Sequence, residues 1–293
     1  MPTENNMYDQ NNIYNHVTCN THSNINIVYS ENPGELISKD HFHNSHEIIY
    51  VVEGTVSFRI NNATYDVQPN TLIFISHLET HELKATSFPY KRYFILIPPD
   101  YFNTIITQPE IASIFNNRPS NFSHIIKLSR DEQEDIFRII SHMYSEINKL
   151  DKFYELNLKA YFYLMMVYLY RKYTDAFPLS SIDNLAKTIT EIQKYISVHY
   201  QEPINLKEIA EKYYISMYHL SHSFKKITGY TFRDYLILQR IAHAKDLLYN
   251  TDKNVAEICA ESGFNNLNNF IRTFKKHTSF SPLQYRKNLR DRI

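Results

Sequence analysis

Residues 223 to 229 read SFKKITG and residues 273 to 279 read TFKKHTS, so the chain writes nearly the same seven residues twice, fifty positions apart. That period is too long for a coiled coil and suits one small helical unit, which makes duplication the first idea to test. Extending outward, LKEIAEKY leads through YIS into MYHLSHSFKKITG, and VAEICAES leads through GFN into NLNNFIRTFKKHTS. Each copy is a short helix, a tight turn and a second helix, the pattern of a helix-turn-helix. The second copy carries one extra residue at the turn. Ile209 and Ile258 should point inward, and small Ala210 and Cys259 should let the paired helices approach.

At about 100° per residue the second helix of each copy has separable faces. Met217, Leu220, Phe224 and Ile227 share one stripe, and Leu267, Phe270 and Phe274 form its counterpart. The opposite sides offer Tyr218, Ser221, His222, Lys225 and Lys226 in the first copy and Asn268, Asn269, Ile271, Arg272, Lys275 and Lys276 in the second. Arg can donate twice to a guanine edge, Asn can pair bidentately with adenine, and Ile or Tyr can meet a thymine methyl. The four lysines are placed to neutralise phosphates. A polar helix face with two lysines is, by itself, usually only solvated surface. Two matched faces joined by FRDYLILQRIAHAKDLLY, which lacks Gly and Pro, could enter successive major grooves roughly 34 Å apart.

Charge supports a polyanionic partner. The 293-residue chain is neutral overall, with 31 Lys and Arg against 31 Asp and Glu. Residues 1 to 183 hold 14 basic against 21 acidic residues, and residues 184 to 293 hold 17 against 10, so the C-terminal part is the basic one. The two cysteines, Cys19 and Cys259, lie far apart, and the first residues lack the regions of a secretory signal. A reducing cytoplasm without disulfides is expected. The longest apolar run, AYFYLMMVYLY at 160 to 170, is well short of the roughly 20 residues a membrane span needs.

The C-terminal residues closely resemble the AraC family of bacterial transcription regulators. The resemblance is carried by YISMYHLSHSFKKITGYTFRDYLILQRIAHAKDLL and VAEICAESGFNNLNNFIRTFKKHTSFSPLQYRK, with Gly263 and Phe264, the repeated FKK, and the SP that precedes Tyr285 and Arg286. It implies a bipartite DNA-binding domain, double-stranded DNA and RNA polymerase as partners, control of transcription with activation the expected mode, and no catalysis. Ser279 stands where a Gly is usual, which makes a left-handed turn there less relaxed. Cys259 stands where Ala is commoner.

The front of the chain reads differently. Residues 1 to 24 are rich in Asn, Thr, Ser and His and are expected to form a flexible arm. From Ile25 to Ile97, β-branched and aromatic runs alternate with turn signals: INIVYS, HEIIYVVEG, TVSFRI, ATYDV, TLIFIS and RYFILI. They predict an antiparallel sandwich or barrel. Within it, His41, His43, Glu47 and Gly54 have the H-x-H-x3-E-x6-G spacing seen in cupin barrels, with Pro69 and His81 downstream. This resembles the cupin-like sensor usual in AraC-type regulators, with Asn70 replacing a frequent Gly. A transition metal or an organic effector could sit there. The expected occupant is a small-molecule effector near His43, Glu47, Tyr50, His81 and Tyr93, with no cofactor and no metal; His41, His43, Glu47 and His81 would be the ligands of any metal. His22, His46 and His77 read as surface or core histidines. Ile48, Tyr50 and Val52 should face away from His43, Glu47 and Ile49.

Ser129 followed by RDEQ marks a helix start, and two helices, to about Leu150 and from about Phe153 to Tyr173, carry more apolar surface than a small sheet hides. A homodimer is expected from them. The fold class is therefore α+β in two domains: a cupin-like barrel at 25–125 with trailing helices at 126–174, a linker at 175–184, and an all-α tandem helix-turn-helix domain at 185–293 with units near 206–228 and 255–277. A metal-dependent cupin enzyme and a protein-interaction adaptor are the alternatives from other classes.

Overall fold

The computed structural model describes residues 24–116, 118, 122–177 and 184–290. The expected flexible arm, Cys19, His22 and most of the linker lie outside those residues. Among the described residues, nine strands form the front part: β1 (Asn26–Asn32), β2 (Ile37–His41), β3 (His46–Glu53), β4 (Val56–Ile60), β5 (Ala63–Val67), β6 (Thr71–Ile75), β7 (His81–Ala85), β8 (Tyr90–Ile97) and β9 (Ile125–Lys127). One sheet runs β1-β8-β3-β6-β9 and the other β2-β7-β4-β5, with all pairings antiparallel. Six strands follow the predicted runs. The segments ISKDH, HELKA and IIK carry no strand signal of their own, because β2, β7 and β9 lack a sustained β-branched run and form only by pairing with neighbours.

Strand alternation divides the core into two. Ile49, Val51, Ile73, Phe94 and Leu96 face the opposing sheet and pack with Phe58, Leu83 and Val56 from it. Ile48, Tyr50, Leu72, Phe74 and Ile95 turn the other way, onto helices. Gly54, after β3, has φ 78°, and a Cβ there would lie 2.6 Å from the Pro89 carbonyl oxygen, so the chain needs glycine at that corner.

The helices on that outer face are α1 (Pro99–Ile105), α2 (Pro109–Ala112), α3 (Arg130–Lys149) and α4 (Tyr154–Lys172). The first two, not expected from the sequence, begin at prolines, whose fixed φ suits a first helical turn. Helix α3 starts in a capping box of Ser129 and Glu132. Its Ile136, Ile140 and Met143 and the Phe162, Met165, Met166 and Leu169 of α4 are buried against the sheet and each other. Most of their apolar surface is thus used within the chain, while Phe153, Leu156 and Leu164 remain exposed.

The C-terminal helices are α5 (Asn184–His199), α6 (Leu206–Lys212), α7 (Met217–Thr228), α8 (Phe232–Asn250), α9 (Val255–Glu261), α10 (Leu267–Thr278) and α11 (Pro282–Arg290). They share one core in which Ile192, Ile209, Leu220, Phe224, Ile241, Ile258, Phe270 and Phe274 are fully or almost fully buried. Phe42 and Leu78 of the front part belong to that same core, so the two parts pack together. Among the described residues, no helix is long and apolar enough to cross a membrane.

Candidate functional site

Each helix-turn-helix is assembled by caps. Asn205 and Ser216 accept backbone N–H groups at the starts of α6 and α7; Asn254 and Asn266 do the same for α9 and α10. Such caps satisfy donors that a helix start leaves open. In the first turn the Ile215 N–H donates to the Ala210 carbonyl at 2.9 Å, and in the second the Phe264 N–H donates to the Cys259 carbonyl at 3.0 Å. The two turns therefore share one plan, with Tyr214 and Gly263 as the equivalent left-handed residues. Ile209, Ile258, Ala210 and Cys259 are buried, as expected from the sequence.

The second helices of the units, α7 and α10, present the predicted outer faces with one exception. Tyr218, Ser221, His222, Lys225 and Lys226 are exposed, and so are Asn268, Asn269, Arg272, Lys275 and Lys276. Ile271 is half-buried and packs on the core. It lies one position past Phe270, about 100° around the helix, and the apolar stripe is broad enough to include it. The inner stripes also need correction. Met217 and Leu267 are 54% and 40% exposed, and both are the first residues of their helices. Ser223, not assigned to either face from sequence, is buried.

The two faces meet. A cleft of about 890 Å³ runs between the units and is lined by Ser221 from the first and by Asn269, Arg272 and Lys276 from the second, with Arg233 and Asn266 beside them. A second hollow, about 580 Å³, lies against Tyr218, Ser221, His222, Lys225 and Lys226. Arg272 Nη2 donates to Asn269 Oδ1 at 3.2 Å, which orients the guanidinium on the surface. Arg233 and Asn266 are additions that the helical-face pattern did not supply; the run of asparagines at 265 to 269 was the available signal for the latter.

In the barrel, the five effector candidates divide between the two sides of the β1-β8-β3-β6-β9 sheet. Tyr50 and Tyr93 lie on the helix-facing side of their sheet, their rings 6.4 and 6.2 Å from that of Phe137, and the Tyr50 hydroxyl donates to Asn70 Oδ1 at 2.9 Å. Strand alternation puts them opposite Glu47, as the reading of Ile48 and Tyr50 required. His43, Glu47 and His81 do come together, joined by His41: His43 Nε2 is 3.1 Å and His81 Nε2 is 3.3 Å from Glu47 Oε2. The rings of His41 and His81 are 4.1 Å apart. Burial lowers the affinity of His43 for a proton. Burial works against the Glu47 carboxylate, but His43 and His81 outweigh it and hold the carboxyl well below the usual carboxylate range. Of the histidines read as core or surface, His46 is buried and stacks on Phe115 at 4.3 Å, while His77 bonds the Tyr235 hydroxyl of α8 at 2.5 Å.

The segment between these histidines touches the helical domain, which no sequence signal announced. Lys245 donates to the Phe42 carbonyl at 2.7 Å, Gln239 donates to Asn44 Oδ1 at 3.2 Å, and the Phe42 ring meets His277 edge-on at 6.3 Å. The Tyr230 hydroxyl donates to the Leu78 carbonyl at 2.9 Å. Burial brings Lys245 down to about 8 and lifts Asp246 to about 6.

Comparison with known proteins agrees with both halves. Residues 24–166 match the family model of the AraC-like ligand binding domain, and residues 209–288 match that of a helix-turn-helix domain. The chain is 21% identical over 248 residues to the HTH-type transcriptional activator RhaS of Enterobacter sp. (strain 638), covering 85% of this chain and 87% of that one. It is 38% identical over 96 residues to the uncharacterized HTH-type transcriptional regulator YijO of Escherichia coli (strain K12), with 33% of this chain and 34% of that one covered. In fold it resembles unsaturated fatty acid bound ToxT from Vibrio cholerae, with a TM-score of 0.60, 15% identity, and 89% and 94% of the two chains covered. The relatives are transcription regulators, not enzymes. With a front part that matches the AraC-like ligand binding domain and a duplicated helix-turn-helix behind it that matches a helix-turn-helix model, this chain belongs to the AraC family of transcription regulators.

Proposed function

We propose that this regulator reads two successive major-groove segments on one face of a DNA duplex, one with α7 and one with α10. The observation that carries the reading is that Ser221 of the first unit and Asn269 and Arg272 of the second, all exposed, border one cleft, so that α7 and α10 present their polar faces on the same side of the domain. Tyr218, Ser221 and His222 meet base edges in one segment, and Asn268, Asn269 and Arg272 meet them in the other; Lys225, Lys226, Lys275 and Lys276 neutralise phosphates. Ile271 contributes mainly to packing. The units at 206–228 and 255–277 act within a DNA-binding domain at 185–293, behind a sensor at 25–125, helices at 126–174 and a linker at 175–184.

The sensor controls how the DNA-binding domain is presented, in answer to an effector. The matched ligand-binding domain and the packing of Phe42 and Leu78 into the helical core support this coupling. Phe153, Leu156 and Leu164, exposed just before α4 and along its first half and middle, support a homodimer. The similarity to RhaS, a transcriptional activator, favours activation, and contact with RNA polymerase in the cytoplasm belongs to the same proposal. Selection of binding sites from random DNA, followed by footprinting, tests the proposal. Two protected segments one helical turn apart are expected; a single segment would overturn bipartite reading.

A further inference from the structure

The four polar side chains at the barrel mouth are arranged as a ligand set. His43 Nδ1 contacts the Ser45 carbonyl oxygen at 2.9 Å, and His81 Nδ1 contacts the Glu79 carbonyl oxygen at 2.8 Å. A carbonyl only accepts, so each Nδ1 carries a proton, and each ring presents its Nε2 to Glu47 Oε2. A backbone carbonyl on the far nitrogen is also how metal-binding imidazoles are commonly held.

The spacing fits a bound ion. Metal–nitrogen and metal–oxygen bonds of about 2.0–2.2 Å place neighbouring donors of a tetrahedron roughly 3.3 Å apart, and the two nitrogens stand 3.1 and 3.3 Å from the Glu47 oxygen. His41 adds a third imidazole, since ligand nitrogens of His41, His43 and His81 lie within 4.8 Å of one another. Glu47 is wholly buried, and its Oε1 makes no hydrogen bond among the described residues. A bare carboxylate oxygen at such a depth is costly unless something compensates it. We propose that His41, His43, Glu47 and His81 bind a divalent first-row transition metal, and that the DNA-binding domain reads its occupancy directly through Phe42 and Asn44.

Three imidazoles and one carboxylate suit zinc, nickel, cobalt or ferrous iron, and not calcium or magnesium. The readout follows from chain alternation. His41 and His43 turn toward the cluster, whereas Phe42 and Asn44, set between and beside them, engage Lys245, Gln239 and His277. His277 belongs to the last turn of α10. Drawing the rings of His41 and His43 onto one ion moves the backbone between them, and that backbone is bonded to α8. This inference rests on the effector-controlled reading above, for which it names the effector. It departs from the expectation of no metal.

The test uses the full chain, stripped with a chelator and titrated with Zn²⁺ and Co²⁺, with bound metal counted by mass spectrometry. One ion per chain is expected, with visible ligand-field bands for Co²⁺. Glu47→Gln and His81→Ala should weaken binding at least about 10-fold, the loss that even outer-sphere partners cause. Those two residues are wholly buried, so His43→Ala, at a partly exposed ring, carries the test if the others do not fold, as circular dichroism will tell. Equal affinity in wild type and His43→Ala, or no binding, overturns the site. DNA affinity is then measured with and without Zn²⁺, where a change of at least about 5-fold is expected. Phe42→Ala should keep the metal and lose the change. Identical DNA affinity in both metal states overturns the coupling. Failure to bind DNA in either state counts instead against the regulator reading, which the metal titration does not touch.

Discussion

The first and second helix-turn-helix units share a plan down to their caps, and they differ in what surrounds them. Even the exits correspond: Thr228 and Thr278 donate to the Phe224 and Phe274 carbonyls at 2.8 Å each, and Tyr235 and Tyr285 are buried one turn into the helices that follow. In the first unit the left-handed turn residue is Tyr214, 97% exposed, while in the second it is Gly263, against which the chain at Tyr200 and Gln201 closes. At the helix ends the roles reverse, with Gly229 at φ 80° after α7 and Ser279 at φ 64° after α10. The first unit is also bonded to the sensor through Tyr230 and Tyr235, whereas the second meets it through His277 and Phe42. Local sequence thus repeats the same device, and tertiary contacts decide which copy tolerates which residue.

The largest expected effect tests that claim at the turns. Gly263→Ala puts a Cβ 2.7 Å from the Tyr200 oxygen and 2.8 Å from Gln201 Cα, at φ 78°. It should cost about 3 kcal/mol or more, the sum of backbone strain and overpacking. Denaturant unfolding measures it, and a loss below about 1 kcal/mol, the scale of backbone strain alone, would show that the two turns are equivalent after all.

Next come the DNA-facing sides. Arg272→Ala should weaken binding to the selected site by about 1 to 3 kcal/mol and relax preference at one base position. Lys225→Ala should lower affinity on all sequences alike and reduce the salt slope by about 1. Titrations on specific and random duplexes separate the two, and equal losses for Arg272→Ala on both would remove its base-reading role.

Smaller effects sharpen the comparison. Tyr214→Gly should stabilise the chain by about 1 kcal/mol, because the exposed ring buries nothing and glycine relieves the positive φ. Ser279→Gly should add about 0.5 to 1 kcal/mol by the same relief at φ 64°. Thermal unfolding reads both. A destabilised Ser279→Gly would mean that the serine side chain contributes something its backbone conformation conceals.

Much of the fold is legible in the residues alone. The repeated FKK stretches, the capping residues and the 3.6-residue spacing place α6 to α10 within a residue or two, since amphipathic helices announce themselves over many positions. The β-branched runs place six strands. What escapes is short or polar: β2, β7 and β9 are held by pairing, and Ile271, Met217 and Leu267 sit at stripe edges or helix starts where angular position alone misleads. The site in the barrel is only half legible, because H-x-H spacing names candidates without saying whether Tyr50 and Tyr93 join them.

By itself, the sequence determined that this chain carries two copies of a DNA-reading device behind a β-rich domain, because periodicity and capping are local and survive without knowledge of neighbours. Only the tertiary structure decided that the cluster of His41, His43, Glu47 and His81, named by its spacing, excludes Tyr50 and Tyr93, and that Phe42 beside it reaches the helical core. Those contacts join β2 to β7 across the sheet and residues 42 and 245 across the chain. Such long-range meetings are set by packing, to which no local pattern responds.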